Sequence, residues 1–177
     1  MTDGIKKWPL LSRSLHWLSA LFVFGLFAVG YYMTGLGYYD PLYHTLPWWH
    51  KSFGLLLMAL VIVRLGYRAK ITTPPPEPGH SRFEKRAAAL THALLYLLIL
   101  AIGISGYLIS TAEGKGIVFF GWFEVPALSR PFDGQADIAG LVHLWLAWSL
   151  IALVAIHAAG ALKHHFIDRD NTLKRML

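Results

Sequence analysis

Four stretches of the chain are long, apolar and almost free of charge. Ser14 to Tyr39, Ala87 to Ala112 and Ile138 to Leu162 contain no Asp, Glu, Lys or Arg. Each exceeds the roughly 20 apolar residues a helix needs to cross a bilayer. A fourth stretch, Trp48 to Tyr67, carries Lys51 near one end and Arg64 near the other. Both stems are long enough to lift their charge toward the headgroups. The pattern predicts an all-α fold, an integral membrane four-helix bundle, as a single transmembrane domain over residues 1–177. Its helices are expected at about 14–36, 48–68, 87–111 and 138–163. Short connections make sequential helices antiparallel. The first apolar run follows Lys6, Lys7 and Arg13, as in a signal peptide. It outlasts a signal core of about 7–15 residues and has no Ala-x-Ala site, so it reads as a mature helix.

Composition supports this reading. Hydrophobic residues make up 55% of the chain and charged residues 15%, against about 25% charged in soluble globular chains. That excludes an ordinary water-facing domain and a disordered chain. Cysteine is absent, which excludes disulfides, thiolate-held zinc, iron–sulfur clusters and covalently attached c-type haem.

The net charge of +6 could suggest nucleic acid, but its distribution fits a lipid bilayer. Lys6, Lys7 and Arg13 precede the first helix. Arg64, Arg68, Lys70, Arg82, Lys85 and Arg86 surround the second connection, and Lys163, Arg169, Lys174 and Arg175 follow the fourth helix. These are 13 of the 16 basic residues; the other side has only Lys51, Lys115 and Arg130. The positive-inside rule then places both termini in the cytoplasm, in a bacterial inner membrane. The Pro-rich segment 72–79 is a stiff cytoplasmic connector. The outer connection from Glu113 to Asp137 carries Phe119, Phe120, Trp122 and Phe123, expected in the interface as part of an aromatic belt.

Polar groups inside a span need a reason, and here histidine recurs. His16 and His92 lie at the inner ends of helices one and three, and His50 at the outer end of helix two. Helix four carries His143 and His157, 14 residues apart. That spacing is nearly four full turns, so both rings share a face about 21 Å apart along the axis. His50 matches the depth of His143, and His16 that of His157. Two facing imidazoles without carboxylate or Cys make a poor compact metal site. They suit haem, whose macrocycle supplies the other four ligands. The reading is two b haems: the outer iron held by His50 and His143, the inner by His16 and His157. With both axial positions filled, such iron transfers electrons. Gly25, Gly30, Gly54, Gly103 and Gly106 could let the flat macrocycles approach the backbone.

A bland reading stands beside this one, because a lone membrane histidine is more often an interhelical hydrogen-bond partner. His92 shares the inner depth without a place on a six-coordinate iron. It could bond a propionate, contact a quinone or cap its helix. His164 and His165 read as a solvated basic end, and His44 and His80 as ordinary loop residues. Arg13, Arg64, Arg68 and Lys163 inside, and Lys51 and Arg130 outside, are candidate propionate partners or simply solvated charges. Trp48, Trp49, Trp145 and Trp148 read as interface anchors or packing.

His16-Trp17, Trp49-His50-Lys51-Ser52-Phe53-Gly54, Val63-Arg64-Leu65 and Thr91-His92 resemble the bacterial cytochrome b561 family. So do the run from His157 to Phe166 and the tail Asp170-Asn171-Thr172-Leu173-Lys174-Arg175-Met176. The resemblance spans all four helices and implies a bundle with two b haems. Its ligand arrangement is similar to the cytochrome b subunits of membrane-bound hydrogenases and formate dehydrogenases. The chain looks most like the family's stand-alone di-haem branch, which implies superoxide oxidase activity, with electrons passing from superoxide to ubiquinone. Lys51, beside His50, would then attract the superoxide anion. The alternative is an anchor subunit carrying electrons between a partner dehydrogenase or hydrogenase and the quinone pool.

Overall fold

Four helices build the protein, seen here as a computed structural model described over residues 5–128 and 132–177. They are α1 (Leu10–Met33), α2 (Thr45–Lys70), α3 (Arg82–Ser110) and α4 (Gln135–Phe166). Two short strands, β1 (Ile117–Phe119) and β2 (Phe123–Val125), lie between α3 and α4, and a 3₁₀ turn spans Lys174–Met176. Arg130 falls outside the described residues.

The helices outrun the charge-free stretches where local chemistry supports them. α3 starts at Arg82 because Ser81 caps it. The Ser81 hydroxyl accepts from the Glu84 N–H at 3.2 Å, and the Glu84 carboxylate accepts from the Ser81 N–H at 2.8 Å. α2 tolerates Pro47 in its first turn, where the missing donor has no helical partner. α4 ends on Lys163, His164 and His165, placed against the exposed carbonyls of its last turn. Its 32 residues span about 48 Å, more than the ~30 Å hydrocarbon core, so its ends reach the headgroups.

The outward face is apolar. Phe83, Leu90, Leu97 and Ile104 recur every seventh residue along α3, and each is more than half exposed. A helix facing water would be polar there; this stripe meets lipid. All four helices are long and apolar enough to span a membrane.

The tightest core lies at mid-depth, where Val23, Leu57, Val61 and Leu150 meet. Leu150 stands midway between His143 and His157 along α4. An apolar layer therefore separates the two histidine levels. Around it, α1 packs on α2 and α3 on α4, and α2 joins the two pairs by packing on α3. α1 and α4 touch only slightly.

The connection before α4 forms an antiparallel hairpin, with Phe119 opposite Phe123. Phe120 (φ 48°) and Gly121 (φ 78°) both turn through the left-handed region, as the hairpin turn with two positive φ values requires. Phe120, a side chain strained there, is held by its N–H bond to the Ser52 hydroxyl at 3.1 Å. The hairpin thus sits on the start of α2, where Phe120 packs against Trp49 and Phe53.

At the end bearing both termini the tail folds back over the bundle. The Trp8 N–H donates to the Arg175 carbonyl at 3.0 Å, and the Trp17 indole donates to the Met176 carbonyl at 2.7 Å. Arg13 donates to the Leu177 carbonyl. Arg175 donates to the Pro75 carbonyl at 2.6 Å and pairs with Glu77 at 2.9 Å. The Pro-rich connector is thus pinned by the tail.

Candidate functional site

The structure brings the span histidines into two groups, one toward each end of the bundle. At the hairpin end His50 of α2 and His143 of α4 face each other with ring centroids 6.3 Å apart and planes at 69°. At the terminal end His16 of α1 and His157 of α4 lie 6.3 Å apart at 75°. His92 joins the second group, 5.2 Å from His157.

These separations can be tested against a metal held from both sides. A metal–imidazole bond of about 2.0–2.1 Å, plus about 1.1 Å from ligating nitrogen to ring centre, puts two axial rings about 6.2 Å apart. The His50–His143 and His16–His157 pairs match that span, and His92–His157 is an ångström too close.

Local hydrogen bonding orients one ring the same way. His143 Nδ1 lies 3.0 Å from the Ser105 hydroxyl and 3.1 Å from the Ile102 carbonyl. Ser105 spends its own proton on that carbonyl at 2.9 Å. Both groups therefore accept from His143, its proton sits on Nδ1, and Nε2 keeps a free lone pair, the form a metal ligand takes. Ser105 and Ile102 were not singled out in the sequence; the available signal was a serine beside Gly106 in an apolar span.

His16 differs. Its Nδ1 lies 3.0 Å from Arg64 Nη2. Arginine only donates, so here Nδ1 accepts. His50 Nδ1 is shielded from solvent and has no hydrogen-bond partner among the described residues. The same holds for the Tyr96 hydroxyl, on a ring 5.4 Å from the Arg64 guanidinium.

Of the five glycines expected to make room, two back the rings closely. A Cβ at Gly30 would meet His50 Cε1 at 3.2 Å, and one at Gly106 would meet His143 Cε1 at 3.1 Å. At Gly54, partly buried one turn beyond His50, an added Cβ would meet nothing within 4 Å. Gly25 likewise borders open space, whereas Gly103 receives the Met58 side chain. The facing imidazoles and the free His143 Nε2 fit a flat macrocycle between them.

The basic candidates separate by their partners. Among the described residues, Arg64 is the candidate that hydrogen-bonds a span histidine. Arg13 serves the tail, Arg68 lies over the Trp8 ring at 5.4 Å, and Lys163 is held by Glu84 and Asp168 at 2.7 Å each. Lys163 is therefore not a free cation. Lys115 pairs with Glu113 at 2.9 Å; the hydrogen bond and charge of this exposed pair raise the ammonium pKa and lower that of the carboxyl. Lys51 is exposed, with no carboxylate in ion-pair reach among the described residues. It lines a cavity of about 330 Å³ with Met33, Leu36, Tyr43, His44 and Pro47.

His164 is not part of a solvated end. Its side chain is 14% exposed, with Nδ1 2.9 Å from carboxylate oxygens of Asp168 and Asp170. His80 also pairs with Asp170, at 2.9 Å. Burial opposes the charge on Asp170, but bonds from the Thr172 N–H and hydroxyl, the His80 contact and the charge of His164 outweigh it and hold the carboxyl at about 2.

Comparison with known proteins follows the geometry. A family model described as prokaryotic cytochrome b561 matches residues 7–177. The chain is 51% identical to cytochrome b561 homolog 2 of Escherichia coli K12, over 99% of this chain and 94% of that protein. It is 31% identical to a probable superoxide oxidase CybB of Yersinia pestis, over 97% and 96%. With cytochrome b561 homolog 1 of E. coli K12 it shares 30% identity over 92% of each chain.

Proposed function

The chain belongs to the prokaryotic cytochrome b561 family of membrane electron-transfer proteins, and from that premise we propose that it binds two b haems and passes electrons from superoxide to ubiquinone. The observation that carries the cofactor reading is the pair of 6.3 Å imidazole separations at opposite ends of one helix. His50 and His143 would hold one iron, and His16 and His157 the other. His92, whose ring is 5.2 Å from that of His157, is not an iron ligand in this reading. Haem bound this way supplies one-electron redox chemistry with no open position for dioxygen.

The chain's own residues do the rest. Ser105 and Ile102 hold the His143 ring in its ligating tautomer. Val23, Leu57, Val61 and Leu150 keep water out of the layer between the two sites. Lys51, next to His50, presents positive charge at the hairpin end and draws superoxide toward it. By the positive-inside rule that end faces outward, and both termini lie in the cytoplasm of a bacterial inner membrane. Two superoxide anions each give up one electron and leave as dioxygen. One quinone takes those two electrons with two protons and becomes quinol. Superoxide oxidase activity is supported by the 31% relative, whose name carries it; the relative at 51% is named for the cytochrome alone.

The deciding experiment supplies superoxide from xanthine oxidase to the purified, oxidised protein and follows the haem absorption bands. Reduction followed by reoxidation on adding ubiquinone is the expected result. No reduction by superoxide, alongside rapid reduction by a co-purifying dehydrogenase, would replace this reading with that of an anchor subunit.

A further inference from the structure

We propose that His80, His164 and Asp170 form a binding site for a divalent transition metal ion at the terminal end of the bundle, apart from either histidine pair in the membrane. The three come from separate segments: the connector before α3, the last turn of α4 and the tail. One oxygen of Asp170 lies 2.9 Å from His80 Nε2 and 2.9 Å from His164 Nδ1. The three ligand atoms all lie within 4.8 Å of one another. Ligands bonded at about 2.0–2.2 Å around a four-coordinate ion sit about 3.3–3.5 Å apart, so each of the two 2.9 Å separations from Asp170 opens by a few tenths of an ångström around an ion.

A second observation points the same way. His164 Nδ1 is shielded from solvent and makes no hydrogen bond of acceptable direction. Yet carboxylate oxygens of Asp168 and Asp170 both approach it to 2.9 Å. A ring nitrogen facing anionic oxygens off the line of a hydrogen bond has only a charge contact with them. A cation shared among the three atoms would satisfy them together.

The ligand atoms are also largely dry, since the three side chains are only 14–19% exposed. The other oxygen of Asp170 is oriented by the Thr172 N–H at 2.7 Å. The Thr172 hydroxyl, 3.2 Å from His80 Nε2, borders the site. Lys163 holds Asp168 at 2.7 Å and keeps that carboxylate as a neighbour rather than a ligand. Two imidazoles and one carboxylate, with positions left for water, suit Zn²⁺ and the borderline divalent ions. Bound there, the ion ties the tail to the connector before α3.

The test uses haem-loaded protein in detergent, stripped with EDTA and titrated with Zn²⁺ by calorimetry, with bound metal counted after dialysis. One site per chain is expected. His80→Ala and Asp170→Asn should each weaken it at least about tenfold, while His165→Ala and His44→Ala leave it unchanged. Haem absorption recorded on every variant checks that the bundle is intact. The proposal fails if intact wild type binds no Zn²⁺, if binding survives both substitutions, or if it follows His165 instead. The inference does not rest on the electron-transfer reading.

Discussion

Replacing Arg64 by leucine tests the inner site most directly. In the structure Arg64 donates to His16 Nδ1 at 3.0 Å. A neutral imidazole ligating iron through Nε2 keeps its proton on Nδ1 and cannot accept there. Arg64 therefore gives up that bond when His16 ligates and turns to an anion at the same level, for which a haem propionate serves. Its charge remains close. The midpoint between the His16 and His157 rings is about 3.2 Å from the His16 centre, half of 6.3 Å. Adding the ring radius and the 3.0 Å contact places the guanidinium nitrogen within about 7 Å of that midpoint. A unit charge at 7 Å contributes roughly 2 kcal/mol at an effective dielectric of about 20. Because the cation favours the reduced centre, Arg64→Leu should lower the inner potential by about 100 mV, using about 59 mV per tenfold for one electron. Spectroelectrochemical titration resolves the two haems as separate steps. One step should move down, the other should stay, and Arg64→Lys should recover most of the difference. Full haem content with both potentials unmoved would refute the electrostatic argument; an equal fall in both would mean Arg64 acts on the whole bundle.

Other consequences are simpler to check. A pyridine haemochrome assay should find two non-covalent b haems per chain; one or none defeats the two-site reading. His143→Ala should remove the haem near the hairpin and His157→Ala the other, each leaving a single low-spin signal in electron paramagnetic resonance; loss in His92→Ala but not in His157→Ala would reverse the inner assignment. Superoxide-driven haem reduction should slow as the Debye length falls from about 10 Å at 0.1 M salt to about 3 Å at 1 M, and slow further in Lys51→Glu with a flatter salt slope; an unchanged slope reduces Lys51 to a headgroup anchor. The Asp170 carboxyl is held at about 2 in the fold and sits near 3.9 in an open chain. Its contribution to tail docking is therefore full at neutral pH and lost as pH falls from about 4 to 2, which amide exchange at Arg175 and Met176 should report and Asp170→Asn should abolish.

The helices were legible because the membrane makes length and charge do the work of tertiary context. Spans cannot hide charge, so Ser14–Tyr39 and Ile138–Leu162 announce themselves. The histidine pairs were legible because 14 residues on a helix return to the same face. Less visible were features that depend on chain reversal. The hairpin rests on Phe120 and Gly121 adopting positive φ and on Ser52 reaching across from α2, partners separated by 68 residues. The pattern Ile117-Val118-Phe119-Phe120-Gly121-Trp122-Phe123-Glu124-Val125 hinted at it, but aromatic content reads equally well as an interface belt. His164 reads as a solvated end beside Lys163 and His165; Asp168 reaches it from four residues on, but Asp170 arrives only when the tail turns back at Arg169, another positive φ.

The same physics explains why two sites can share so small a chain. α4 carries a histidine on each side of Leu150, so one helix serves both levels, and α1 and α2 each need supply only one partner. That economy requires α4 to stay apart from α1 at the His16–His157 level and from α2 at the His50–His143 level, and α1 and α4 touch only slightly. With so little direct packing across that seam, the bundle needs other ties. It has them at both ends: Ser52 fastens the hairpin onto α2, and Trp8, Arg13 and Trp17 fasten the tail onto α1. In a bilayer, where lipid competes evenly with apolar side chains, such polar ties and close packing decide helix association. Removing the tail should therefore loosen α1 against α4 and release the His16–His157 haem before the His50–His143 haem. Deleting residues 171–177 and measuring which low-spin signal weakens first would decide it; simultaneous loss of both signals would mean that the mid-depth core, and not the ends, sets the spacing of the seam.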